Sequence, residues 1–168
     1  MKYFEGCRTC EDVKKRFYEL AKRYHPDRPE HGEAEQEIMK HINNEYAAVF
    51  ELLKSSHRNA EGDIYERETE EMPEQFRDVI MQIIRLEGIN IEICGSWIWL
   101  TGNTRQYKDY LKELKFKWSP KKSAWHWHTG EFKRWGKQEF SLDEIRAKYG
   151  SSRVEQEQDK KISNVSEG

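Results

Sequence analysis

The chain has 168 residues, room for one ordinary domain or two small ones. Charged residues make up 36% of it and the apolar set from Ala to Cys another 36%, a globular composition with much solvated surface. No apolar run reaches the length of a membrane span and the start MKYFEGCRTCEDVKK has no signal-peptide core, so a cytoplasmic protein without a membrane partner is expected.

The net charge of −2 hides an internal asymmetry. Residues 1–54 carry 10 basic and 11 acidic side chains, and residues 55–78 carry 3 and 8. Residues 103–137 carry 10 basic against 3 acidic, and all six tryptophans lie between Trp97 and Trp135. Such shifts mark separate modules.

In chain order, Cys7 and Cys10 form a C-x-x-C, the spacing of a redox pair or half a zinc site. No second pair follows and no βαβ pattern surrounds it, so the favoured reading of Cys7 and Cys10 is two unpaired thiols. Residues 9–24 predict an amphipathic helix with Val13, Phe17, Leu20, Ala21 and Tyr24 on one stripe. Thr9 and Asp12 resemble a capping box, and Pro26 stops the helix after His25. By helical geometry Lys15 and Lys22 point away from the stripe while Lys14, Arg16 and Arg23 flank it. The loop HPDRPEHG leads to a second helix from about Glu33 to Lys54. Its apolar face is Ile38, Met39, Ile42, Tyr46, Val49, Phe50 and Leu53, and the two helices should pack antiparallel.

Residues 55–72 are acidic and lack a sustained apolar period, so a linker is expected there. Pro73 suits the first turn of a helix that buries Phe76, Val79, Ile80, Ile83 and Ile84. Ile89, Ile91 and Ile93 alternate as a strand does, Gly95-Ser96 is a turn, and WIWLTG is a second strand. Asn103 or Thr104 could cap a helix carrying Tyr107, Tyr110, Leu111 and Leu114. The segments FKW and AWHWH around SPKKS predict a hairpin. Ser141 with Glu144 is a capping box for a final short helix closed by Gly150, and residues 151–168 read as a disordered tail. The fold class expected is therefore α+β, with residues 1–54 all-α and residues 73–150 a small α+β module with an antiparallel sheet.

The tripeptide His25-Pro26-Asp27 sits between the two helices, directly after VKKRFYELAKRY and before INNEYAAVFELL. In that placement residues 3–54 resemble the J-domain family. The start YFEGCRTCED resembles the short J-domain proteins of bacterial and phage genomes, and the segment from about Phe76 to His128 looks like the carboxy-terminal module of that group. The resemblance implies a co-chaperone that docks on a DnaK-type chaperone and stimulates its ATP hydrolysis, with no cofactor of its own. It assigns His25, Pro26 and Asp27 to triggering and Lys14, Lys15, Lys22, Arg23 and Arg28 to docking. Physically, Pro26 fixes the loop so that His25 and Asp27 are presented as oriented, exposed polar groups. A positive helix face raises the encounter rate with an acidic partner. The competing reading of those cations is a solvated face braced by Glu11–Lys15, Asp12–Arg16 and Glu19–Arg23. The chain departs from the family in Tyr18 and Glu19, which stand where many members have basic residues, and in lacking Gly/Phe-rich and cysteine-rich zinc regions.

The tract from Trp97 to Trp135 combines aromatic rings with positive charge, the composition of a surface that stacks bases and follows phosphates. Lys108, Lys112, Lys115, Lys117, Lys121 and Lys122 are the candidate contacts, the first three at helical spacing on one face. A protein client is the rival partner. In AWHWH, Trp125 and Trp127 share one face and His126 and His128 the other, so one pair is core and the other exposed; the tryptophans are the better core pair. The histidines lack a third ligand at fixed spacing, so no metal is assigned. No P-loop, G-x-S-x-G or H-E-x-x-H is present, so the chain is not expected to be an enzyme.

Overall fold

The computed structural model describes residues 2–28, 30–69, 71–128, 141–149 and 152–154. Two N-terminal helices are followed by a small antiparallel sheet, so the chain is α+β. Helix α1, Cys10–Tyr24, starts on the expected capping box, with the Asp12 amide donating to Thr9 Oγ1 at 3.2 Å and the Thr9 amide to Asp12 Oδ2 at 3.2 Å. It stops where Pro26 holds His25 at φ −57° and ψ 130°, outside the helical region. Helix α2, Glu33–Leu53, begins with the Gly32 amide donating to the Glu35 carboxylate at 2.9 Å. Phe17 meets Tyr46 at 4.4 Å between ring centroids, and Lys14, one turn earlier, reaches Phe50, one turn later. Moving back along one helix moves forward along the other, so the pair is antiparallel.

The stretch expected as a linker, residues 55–72, differs from that expectation. It contains strands β1, Ser56–Arg58, and β2, Ile64–Glu66, paired antiparallel with His57 opposite Tyr65. The hairpin is fastened to α1 by Glu11, whose carboxylate meets His57 Nδ1 at 2.7 Å and accepts from the Arg58 amide at 3.2 Å. Arg58 also pairs with Asp12 at 3.2 Å. Glu11 and Asp12 thus turn to the hairpin, and Glu19 pairs with Arg16 at 3.5 Å, rather than bracing the helix face at four-residue spacing.

Helix α3, Pro73–Ile83, has Pro73 in its first turn and buries Phe76, Ile80 and Ile83. Strands β3, Ile89–Cys94, and β4, Trp97–Gly102, pair across the Gly95-Ser96 turn. Gly102 (φ 91°) packs against Gly88 so closely that a Cβ there would lie 2.7 Å from the Gly88 carbonyl oxygen. A 3-10 turn at Arg105–Tyr107 leads into α4, Lys108–Glu113. Strands β5, Lys117–Ser119, and β6, Ala124–His128, form the expected hairpin. Helix α5, Leu142–Tyr149, starts on the reciprocal bonds of Ser141 and Glu144. Strand β7, Ser152–Val154, then pairs antiparallel with β3, within the stretch expected to be a disordered tail. Residues 155–168 and Gly150 lie outside the described residues.

The sheet order is β5-β6-β4-β3-β7. Ile89, Ile91, Ile93, Ile98, Leu100 and Trp125 face one side, where they join Phe76, Ile80 and Ile83 of α3 and the apolar residues of α1 and α2 in a continuous cluster. A connected core, rather than two modules each with its own, therefore runs from Phe4 to Trp125. The cause lies on α1, which is buried on a second flank beyond its apolar stripe: Cys10, Lys14 and Tyr18 are covered as well.

Candidate functional site: the loop between the first two helices and the basic face of the sheet

Lys14 is the largest departure from the expected docking set. Its side chain is 2% exposed, and its ammonium donates to the Glu71 carboxylate and to the Gly95 carbonyl at 3.0 Å. It lies 5.3 Å from the ring centre of Phe76. Burial works against the charge, but the neighbouring Cys10 sulfur and Glu71 carboxylate outweigh it and hold the ammonium above the ordinary lysine range. Lys14 is a buried tie between α1, the segment before α3 and the β3–β4 turn, and is unavailable to a docking partner. The remaining cations do lie on the surface side: Lys15, Arg23 and Arg28 are exposed and Lys22 is half-buried. Lys15 and Lys22 are two turns apart on one face, about 10 Å along the axis. Arg28 pairs with Glu30 at 3.3 Å.

The turn itself is ordered by short-range bonds. The Arg28 amide donates to the His25 carbonyl at 3.2 Å, and His31 Nδ1 donates to the same carbonyl at 2.9 Å. Pro26 is exposed, but His25 is only 8% exposed, against the expectation of a presented ring. The Asp27 amide donates to His25 Nδ1 at 3.2 Å, so Nε2 carries the hydrogen, and it points at the Met81 carbonyl 3.3 Å away. Met81 is in the last turn of α3, where carbonyls lack partners within the helix. His25 therefore caps α3. Asp27 Oδ2 meets Arg85 Nη1 at 2.7 Å, just beyond that helix. Sequence reasoning missed Met81, Arg85 and Glu71, since nothing local signals a contact with residues more than fifty positions away.

The other side of the sheet is a ladder running Glu92, Trp99, His126, Lys117 across four strands, with Cys94, Trp97 and His128 beside it. Trp97 and Trp99 stack at 5.8 Å, His126 lies 5.2 Å from Trp99, and His128 lies 4.5 Å from Trp97. Leu142 and Ile145 of α5 pack on this side, and Arg146 grips Glu92 with two bonds of 2.6 and 2.8 Å. The tryptophans of AWHWH do face the core side, with Trp125 buried and Trp127 packed against it, but the histidines are half-buried rather than exposed. Both sides of the sheet are covered. Burial, then Lys117, Lys122 and His128, lower the pKa of His126. Trp99 is 3% exposed, which takes its ring out of reach of a base. Among the described tryptophans Trp118, at 46%, is the exposed one.

Of the candidate phosphate contacts, Lys108, Lys112, Lys115, Lys117 and Lys121 are exposed, and Lys122 is half-buried with its ammonium 5.8 Å from the centre of Trp99. Lys108 and Lys112 share a face of α4, but that helix ends at Glu113 and Lys115 follows at φ 70°, so the expected line of three is broken after two. Lys133, Arg134 and Lys137 lie outside the described residues.

The thiols are free. Burial pushes Cys10 and Cys94 each up to about 12 and raises Cys7 also, the reverse of what a nucleophilic thiolate needs. Among the described residues no three His, Cys, Asp or Glu side chains are placed to hold a metal ion, and no helix is long and apolar enough to cross a membrane. Comparison with known proteins returns no matching family model, no matching curated protein and no matching solved structure.

Proposed function

We propose that the chain is a J-domain co-chaperone that docks on a DnaK-type chaperone and stimulates its ATP hydrolysis, with the sheet module supplying client or target binding. The observation that carries the reading is the His25-Pro26-Asp27 turn, joining two antiparallel amphipathic helices of 15 and 21 residues. Lys15, Lys22 and Arg23 on the first helix and Arg28 in the turn supply the positive face that steers an acidic partner. Lys14 drops out of that set because it is buried. The hydrolytic chemistry lies in the partner.

Single-turnover ATP hydrolysis by a DnaK-type chaperone tests the reading. The parent chain should accelerate it and His25→Gln should not, while circular dichroism reports whether the variant folds. Because His25 caps α3, the substitution carries a stability cost of about 1 kcal/mol. Equal acceleration by both proteins at saturation sinks the reading.

A second reading has its own support in Trp118, exposed beside Lys117 and close in sequence to Lys115 and Lys121. There the sheet module binds single-stranded nucleic acid, as in a bacterial or mobile-element system that recruits the chaperone through the J-domain. Four or five phosphate contacts give a slope of log affinity on log salt of about −3, from roughly −0.7 per contact. Lys121→Glu with Lys122→Glu should weaken all sequences alike. No binding at about 50 mM salt ends this reading, since the electrostatic contribution is large there.

A further inference from the structure

We propose that the end of α3 masks the His25-Pro26-Asp27 turn, so that docking on the chaperone requires Arg85 to release Asp27. The inference rests on the J-domain reading and adds regulation to it. Both polar groups of the tripeptide are already engaged within the chain: the His25 ring faces the Met81 carbonyl at 3.3 Å, and the Asp27 carboxylate meets Arg85 at 2.7 Å. A partner that recognises this carboxylate must bring a cation to a group that already holds one. A partner that recognises the ring must reach a side chain that is 8% exposed. Met81 and Arg85 thus occupy positions that a docking surface would have to fill.

The contact is built to open. Asp27 and Arg85 are 48% and 58% exposed, so water and salt compete for the pair and it contributes little. The Lys14–Glu71 pair is buried at 2% and 4% and ties the other end of α1 to the rest of the fold. Lys14 and His25 are eleven positions apart, about 16 Å along the helix. The turn can part from α3 while that tie stays closed.

The test pairs an accessibility measurement with the ATPase assay, using the full chain. Arg85→Ala and Arg85→Lys are compared with the parent for the rate of His25 carbethoxylation by diethyl pyrocarbonate, read by mass spectrometry, with exposed His41 as internal reference. The same proteins are titrated into single-turnover hydrolysis by a DnaK-type chaperone. If masking holds, the apparent dissociation constant is the intrinsic one divided by the open fraction. Arg85→Ala should then raise the His25 rate and lower the half-saturating concentration by a similar factor, about 1.5- to 5-fold for an exposed pair. Arg85→Lys should lie between Arg85→Ala and the parent. An unchanged half-saturating concentration for Arg85→Ala overturns masking, and a higher one overturns it and makes Arg85 part of the docking surface. If neither parent nor variants stimulate while an established J-domain does so in the same assay, the J-domain reading fails and the inference falls with it.

Discussion

Replacing Lys14 by Met tests whether α1 is held from inside or merely decorated with cations. The side chain is 2% exposed and its ammonium has two acceptors, Glu71 and the Gly95 carbonyl at 3.0 Å. Methionine keeps much of the apolar stem between Phe50 and Phe76, so the loss is mainly electrostatic. It leaves the Glu71 carboxylate buried without its cation and a buried carbonyl without its donor. Breaking a buried ion pair from one side costs about 3–5 kcal/mol. For a chain of this size each kcal/mol lowers Tm by about 2–4 °C, so a drop of about 6–20 °C is expected. Lys14→Met combined with Glu71→Met should recover part of the loss, leaving about 1–3 kcal/mol for the unsatisfied Gly95 carbonyl. Because the lysine's pKa is raised in the fold, the stabilisation is fully present below the ordinary value of 10.5 and is lost only as pH rises beyond it. Urea unfolding at pH 7, followed by tryptophan fluorescence and by far-ultraviolet circular dichroism, measures both variants. A single variant within about 0.5 kcal/mol of the parent would refute the argument, since that is the behaviour of a solvated surface lysine.

Three further outcomes are expected. Glu11→Ala removes the acceptor shared by His57 and the Arg58 amide, at a cost of about 1–3 kcal/mol. Trypsin should cut at Arg58 and Arg67 faster in that variant than in the parent, and equal rates would mean that Glu11 does not hold the hairpin. Cys10 and Cys94, each pushed up to about 12 by burial from an ordinary 9.0, keep their protons in the fold while the unfolded chain releases them, so stability falls as pH rises from about 9 towards about 12. Iodoacetamide at pH 8 should leave both thiols unlabelled in the folded protein, and rapid labelling of either would contradict its burial. Gly102→Ala should destabilise by more than about 1 kcal/mol, since its φ is 91° and the new Cβ would meet the Gly88 oxygen at 2.7 Å; a neutral result in urea unfolding would show that the turn can relax.

What the sequence displays clearly is local. The Thr9–Asp12 and Ser141–Glu144 caps, the stop at Pro26, the start at Pro73 and the hairpin around SPKKS all depend on residues a few positions apart, and all are present. The hairpin at 56–66 left no such trace. Its strands are three residues long, too short for alternation to register, and Ile64 faces solvent while His57 is buried against Glu11 of α1. Helical spacing placed Lys14 correctly beside the apolar stripe; it could not tell that α3 and the β3–β4 turn would close over that flank. The same holds for the tripeptide, whose position between two helices was legible and whose burial against Met81 was not. Lys115 fell out of line because α4 ends at Glu113 and the chain turns at Lys115, whose φ is 70°.

The two acceptors of Lys14 lie 57 and 81 positions further along the chain. A chain made from its N-terminus therefore has both helices of the pair available well before either acceptor exists. Until Glu71, Phe76 and finally the segment around Gly95 are in place, the flank of α1 carrying Lys14 is not fully closed over. Contacts of such long sequence separation slow folding, because the intervening loop must be closed before they contribute. The helix pair should accordingly complete its own packing late, and residues 1–72 made alone should show helix by circular dichroism without the cooperative unfolding of the full chain.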